Sequence, residues 1–331
     1  MDVIGTLKRG CTPKTTIAYP EATDERILKA AELVVKESVG TPLLVGNPAE
    51  IEKAAKSFGA SLTGMRVVDS SKVPKAYVDE YVKVRGKSAE LAEHLLRDPL
   101  YHAVMAVRLG DADTMLGGAV YTSADMICAC VHVLGLEKGI STPSSVFIMD
   151  TPGYSGGENG VLLFSDCSAN ISPCPEALAD IAITTARTAR ELLGWEPRVA
   201  MLSFSTKGSA ADPLADKVVE AVKIARKKAP ALKIDGEMQG DTALNPTIAA
   251  KKIKGGVGPV AGKANVLIFP DINAGNICYK LAQELAKTKA YGPILQGFKR
   301  PVSDLSRGAT PEAILGTSII VSAWAGRKAR K

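Results

Sequence analysis

Short apolar runs alternate with amphipathic stretches through the first third of the chain. Thr16 to Tyr19 is an apolar run of strand length, and behind it Ile27, Ala30, Ala31, Val34 and Val35 recur at helical spacing. Pro42 to Val45 repeats the strand pattern, Gly46-Asn47 closes it, and residues 48 to 58 are again helix-like. Strands that alternate with helices predict a parallel sheet, because each crossover helix must pack on a face of the sheet.

The texture changes between residues 142 and 160. Thr142-Pro143-Ser144-Ser145 precedes the apolar run Val146 to Met149, and a glycine-rich stretch follows from Thr151 to Gly160. A boundary between two α/β domains is expected here, with residues 1–145 before it and 146–302 after it. Beyond it one device occurs three times: an apolar strand, a loop of small polar residues, then a helix. Val161 to Phe164 runs into residues 165–170, Val199 to Leu202 into 203–209, and Val266 to Phe269 into 270–276. Leu178, Ile181, Thr185, Ala189 and Leu192 make one apolar helix face, entered through Pro175 and ended by Gly194. Val218, Val219, Val222 and Ala225 make another, and Ile277, Leu281 and Leu285 a third. Such loops fall at the carboxyl ends of parallel strands, where helix N-termini offer free N–H groups to anions. An anionic substrate is therefore expected at these loops.

Composition narrows the picture. The 331 residues are 46% hydrophobic but only 5% aromatic, so the core is built mainly from Val, Ile, Leu and Ala. The net charge of +6 is not gathered into a stripe; its densest runs are Lys223 to Lys228 and the tail Arg327 to Lys331. No aromatics interleave these cations, which argues against nucleic-acid binding. The opening MDVIGTLKRG lacks the apolar core of a signal peptide, and no run approaches the roughly 18 apolar residues of a membrane span. Six cysteines show neither a disulfide framework nor a common zinc spacing, so reduced thiols and a cytoplasmic location are expected.

Four features carry candidate chemistry. Residues 258–264 imitate a phosphate-binding loop, but Val257 and Ala264 stand where the motif needs Gly and Ser or Thr, and a strand follows instead of preceding. His94, His102 and His132 are scattered and form no Ser-His-Asp arrangement. Ser203-Phe204-Ser205-Thr206-Lys207-Gly208-Ser209 reads either as a helix-capping loop or as an anion cradle. The stretch 292–308 is long, lacks regular periodicity, and carries Lys299, Arg300 and Arg307 among small residues. A structureless loop of that length inside a compact domain points to function.

MLSFSTKGSA (201–210), PVAGKANVLIFPDINAGN (259–276) and GPILQGFKRPVSDLSRGA (292–309) together resemble the phosphate acetyltransferase and phosphate butyryltransferase family. YPEATDERILKAA (19–31), GDADTMLGGAVYTSAD (110–125) and FSDCSANISP (164–173) extend the resemblance over nearly the whole chain. It implies two α/β domains of the isocitrate/isopropylmalate dehydrogenase-like type with an interdomain cleft, a homodimer, and a C-terminal segment 303–331 that returns to the first domain. The implied reaction converts acyl phosphate and coenzyme A into acyl-CoA and phosphate, with coenzyme A as substrate and with no metal or other cofactor.

Carried over by position, Ser306 and Arg307 match the family's Ser-Arg pair. The arginine would hold phosphate or the acyl carbonyl, and the serine would stabilise the tetrahedral intermediate. Arg85 matches a further arginine, Cys167 a cysteine near the site that is not required as nucleophile, and Thr122, Ser123, Thr206 and Asn276 would line the cleft. Two positions depart from the pattern. Ala313 replaces the aspartate that takes the thiol proton, leaving Glu312 beside it as the candidate base. Cys128 replaces an arginine, and Lys207, Lys299 or Arg300 would have to compensate. An active acetyltransferase, a butyryl-specific relative, and a catalytically weak homologue that binds acyl-CoA or acyl phosphate as a sensor all remain open at this point. A dehydrogenase of the related fold lacks a dinucleotide fingerprint.

Overall fold

A computed structural model describes residues 2–328; the end of the basic tail, 329–331, lies outside the described residues. The chain forms two compact units. The central unit is Lys138–Gly297, and the flanking unit combines Asp2–Glu137 with the chain from Phe298 onward. The strands are, in chain order, β1 (Thr16–Tyr19), β2 (Thr41–Gly46), β3 (Arg66–Asp69), β4 (Thr114–Leu116), β5 (Ser144–Asp150), β6 (Val161–Ser165), β7 (Arg198–Leu202), β8 (Lys233–Met238), β9 (Val266–Ile268), β10 (Lys289–Gln296) and β11 (Val302–Ser303).

In the flanking unit the strand order is β3-β2-β1-β4-β11 and every pairing is parallel. Ile17, Leu43, Leu44, Met115 and Leu116 are fully buried in it. Its helices begin where an aspartate or asparagine satisfies the first free N–H groups: Asp24 caps Glu25–Lys36, and Asn47 caps Pro48–Phe58. The last helix, Pro311–Lys328, packs on Glu25–Lys36. Ser318 meets the buried Tyr19 hydroxyl at 2.7 Å, and the Ser322 hydroxyl donates to the Val39 carbonyl at 2.6 Å. Those two bonds fix the C-terminal helix over β1 and the edge of β2.

In the central unit the order is β10-β5-β6-β9-β7-β8. The pairs β6-β9, β9-β7 and β7-β8 are parallel, so the three polar loops do follow parallel strands. β5 and β6 form an antiparallel pair, and β10 joins β5 antiparallel, a mixture that alternation alone did not predict. The helix Pro175–Thr188 continues as a wider turn over Ala189–Leu193 and stops at Gly194, whose φ of 71° lies in the left-handed region.

Two expectations change. Residues 292–296 are not loop but the buried end of β10, and β11 follows after five residues. The cis Gly292-Pro293 pair sits where the β10-β5 register shifts, which breaks the alternation that would have marked a strand. The helix Ile272–Ala286 is amphipathic, but it buries Gly275 and Tyr279, leaving Ile277, Leu281 and Leu285 half exposed or more.

Candidate active site

In the flanking unit the site grows from the segment after β11. Asp304 and Leu305 are buried, whereas Ser306 and Arg307 are exposed. The segment is held by two neighbours, Ser123 and Arg26. The Ser123 hydroxyl, on the first residue of the helix Ser123–Val133, donates a short hydrogen bond to Asp304 Oδ2. Thr122 caps that helix, its hydroxyl facing the Asp125 carboxylate at 2.6 Å. Arg26 reaches the Arg307 carbonyl at 2.5 Å and the Ala119 carbonyl at 2.9 Å, so one guanidinium ties the Ser306-Arg307 segment to the loop after β4.

The carboxylates that support these groups differ in state. Burial works against the Asp24 charge, but hydrogen bonds from Arg26 and from backbone N–H groups outweigh it and hold the carboxyl below its usual range. Glu21, also buried, accepts the N–H groups of Ala119, Val120 and Tyr121 at 2.6–2.8 Å, which fixes the loop that Arg26 also holds. Asp304 is the exception. Burial drives its carboxyl up to about 7, against the Ser123 hydroxyl and the Leu305 N–H, and the Glu21 charge adds to the rise. Among the described residues its Oδ1 has no hydrogen-bond partner. A methyl group on Gly118, whose φ is +103°, would lie 2.0 Å from that oxygen, so glycine is required for the carboxyl to sit there.

Glu312 is exposed, and its own N–H together with the Thr310 hydroxyl holds its carboxyl below the usual range. Thr310 also accepts the Ala313 N–H at 3.3 Å. Glu312 therefore behaves as part of a helix start, and Ala313 occupies the third helical position, where a capping box carries an acidic or amide side chain. Arg85 ends the helix Lys75–Arg85 and is exposed. Burial and then the Arg85 charge push the His132 imidazole below its ordinary value. The Cys128 thiol lies 3.7 Å from His132 Nδ1, so Arg85 and Cys128 both stand beside His132 in this unit. Arg300 is exposed four residues before Asp304.

The central unit holds the other expected residues. Cys167 is fully buried, and burial, Asp166 and Cys278 raise its thiol well above the ordinary range, which keeps it neutral. Asn276 donates to the Cys167 carbonyl at 3.1 Å and joins the loop after β6 to the helix after β9. In the loop after β7, the Thr206 hydroxyl accepts the Gln239 N–H at 3.1 Å, and the Lys207 ammonium donates to Asp235 at 2.6 Å and to the Gly236 carbonyl at 2.8 Å. The cradle that this loop suggested is filled from within, because the Ser205 hydroxyl and the Gly208 N–H both donate to the buried Glu237 at 2.8 Å. The outer face of the loop borders a depression of about 720 Å³ whose rim carries Lys207, Arg226, Lys252 and Lys254.

In one unit Ser123 thus hydrogen-bonds Asp304, two residues before the exposed Ser306-Arg307 pair, and in the other Asn276 hydrogen-bonds Cys167. Arg26, Glu21 and Asp304 are the supporting residues that sequence reasoning passed over. Asp304 lies inside PVSDLSRG, and Glu21 and Arg26 inside YPEATDERILKAA. The motifs flagged the segments, but only burial and hydrogen bonding separate their members.

The sequence and fold have close parallels. A family model described as phosphate acetyl/butaryl transferase matches residues 3–322. A phosphate acetyltransferase of Acetivibrio thermocellus is 42% identical over 326 residues, covering 96% of both chains. Another from Thermoanaerobacterium thermosaccharolyticum is 45% identical over 314 residues, covering 93% of this chain and 94% of that one. A phosphotransacetylase from Streptococcus pyogenes superposes with a TM-score of 0.89 at 38% identity, over 98% of each chain. A branched-chain phosphotransacylase from Enterococcus faecalis, 19% identical, shares the fold at a TM-score of 0.69 over 94% of this chain and 99% of that one. The α/β fold, the motifs and the full-length identity place this chain in the phosphate acetyl/butaryl transferase family.

Proposed function

We propose that this enzyme is a phosphate acetyltransferase that interconverts acetyl-CoA plus phosphate with acetyl phosphate plus coenzyme A. The observation that carries the reading is 42–45% identity, over nearly full length, to relatives named phosphate acetyltransferase. In this reading the thiolate of coenzyme A attacks the acetyl carbonyl and phosphate leaves. Arg307, exposed and held at its carbonyl by Arg26, binds the phosphate, and Ser306 stabilises the developing oxyanion. Arg85 and Arg300 supply further positive charge, Thr122 lies beside Ser123 at the helix start, and Lys207 with the basic rim of its depression favours the phosphates of coenzyme A. Coenzyme A is a substrate, and the reading requires no metal or other cofactor.

The exposed stripe Ile277, Leu281 and Leu285 on the helix Ile272–Ala286 suits burial against a second copy, so the enzyme is read as a homodimer. Among the described residues no helix is long and apolar enough to cross a membrane. A cytoplasmic homodimer acting on small anions is the form proposed. The second reading, a weakly catalytic acyl-CoA binder, is favoured by Ala313 and Cys128 alone. Purified protein with acetyl phosphate and coenzyme A separates the two: thioester formation at tens of turnovers per second supports the enzyme, and binding without turnover supports the sensor. Running butyryl phosphate in parallel tests the acyl preference.

A further inference from the structure

The position that would carry the family's base is Ala313, and the neighbouring Glu312 is engaged in starting its helix. Another carboxyl lies close by. Asp304 is two residues before Ser306 and three before Arg307, so its Cα is within about 7 Å of that of Ser306 even on extended chain. Its surroundings do not suit a purely structural carboxyl. The side chain is 1% exposed, makes no ion pair among the described residues, and leaves Oδ1 without a partner. A buried pin between a loop and a helix needs only an amide or a hydroxyl, and an uncompensated carboxyl there is costly. Among the described residues Ser123 is the one side chain that hydrogen-bonds it, and Ser123 is itself half-buried, with Thr122 exposed next to it. Asp304 is thus connected to the surface by a single hydroxyl.

We propose that Asp304, acting through Ser123, is the proton acceptor for the coenzyme A thiol in this enzyme, in place of the missing aspartate. This rests on the acetyltransferase reading. The S–H bond breaks as Ser123 Oγ takes the proton, and the original Ser123 proton moves to Asp304 Oδ2. The sulfur electron pair forms the S–C bond to the acetyl carbon. The C–O bond to phosphate then breaks, phosphate leaves with that electron pair, and the proton on Asp304 returns by the same path to the departing phosphate or to water. Ser123 ends each transfer as it began. Arg26 and Glu21 act as positioning residues, since together they hold the loop 119–121 and the Arg307 carbonyl.

The groups that face Asp304 set its titration. Glu21, from the segment after β1, opposes its charge; Asp24 first and then Glu21 hold the Arg26 cation; and the Cys130 thiol, on the same helix as Ser123, is kept neutral by burial and by Asp304 itself. A carboxyl brought up to about 7 is closely matched to a thiol of pKa about 8.5, which is the condition for efficient proton transfer near neutral pH.

The test is kcat/KM for coenzyme A, with saturating acetyl phosphate, from pH 5.5 to 9.5 in wild type, Asp304→Asn, Ser123→Ala and Ser123→Thr. Free thiol is about 3% ionised at pH 7, so loss of the base should cost about ten- to thirtyfold there. The deficit should shrink to about threefold or less by pH 9, because the thiolate then forms without help. Ser123→Ala should follow Asp304→Asn, and Ser123→Thr, which keeps the hydroxyl, should recover most of the rate. A deficit of constant size at every pH would mean a structural pin and would overturn the proposal, as would a normal rate in Ser123→Ala. Should Asp304→Asn fail to fold, the two Ser123 variants decide the matter by the same criterion. Absence of turnover in wild type would remove both this proposal and the acetyltransferase reading, whereas an active wild type with a pH-independent deficit would remove this proposal alone.

Discussion

Asp304→Asn should change how the stability of the flanking unit depends on pH, even without substrate. The folded environment raises the Asp304 carboxyl from an ordinary value of 3.8 to about 7, which is about three units, or about 4 kcal/mol at 1.36 kcal/mol per unit. The sign follows from proton linkage. The folded chain binds this proton more tightly than the unfolded chain, so the stabilising contribution is complete below about 3.8 and is lost as pH rises through about 7. Between pH 5 and pH 8 the loss attributable to this one group is about 2.5 kcal/mol. An asparagine does not titrate, so the variant should gain about that much on wild type over the same interval. Urea unfolding at the two pH values measures it. Trp324 lies buried in the flanking unit and Trp195 in the central one, so a Trp195→Phe background leaves fluorescence reporting the flanking unit. Parallel pH dependence in the two proteins would refute the claim that Asp304 is buried without a compensating cation.

Four further outcomes are expected. Arg307→Ala should lower turnover at least a hundredfold with little change in the unfolding midpoint, because the side chain is exposed and serves ligand charge; near-normal activity would remove it from the site. Glu312→Ala should leave kcat within about threefold and lower stability only slightly, since its carboxyl engages the helix start, whereas loss of the base for the thiol would cost about ten- to thirtyfold at pH 7. Ala313→Asp should raise the rate near pH 7, and a tenfold loss in Glu312→Ala would instead identify Glu312 as the base. Leu281→Asp should shift the protein from dimer to monomer in sedimentation velocity, and an unchanged sedimentation coefficient would show that this stripe is not the interface.

Much of this architecture was legible because it is local. The strands β1, β2, β6 and β7 and the loops that follow them are written in short apolar runs and in turn residues, and caps such as Asp24 and Asn47 fix where helices begin. β10 was not legible, because Gly292 and Pro293 interrupt its alternation and its partner β5 lies about 140 residues earlier in the chain. Ser306 and Arg307 stand out in the sequence through their motif. Asp304 belongs to the same motif but does not stand out, since nothing in the sequence distinguishes an exposed aspartate from one that is buried and, among the described residues, lacks a partner for Oδ1. The exposed stripe of Ile277, Leu281 and Leu285 illustrates the same limit. Periodicity identifies an apolar face, but it does not say whether that face meets the chain's own core or something else.

The most direct test of the central claim follows thioester absorbance when the purified protein meets acetyl phosphate and coenzyme A, beside an Arg307→Ala control. The acetyltransferase reading predicts rapid thioester formation that requires both substrates, reverses when phosphate is added to acetyl-CoA, and falls at least a hundredfold in the control. Folded protein that binds coenzyme A but forms no thioester at any pH between 6 and 9 would contradict it.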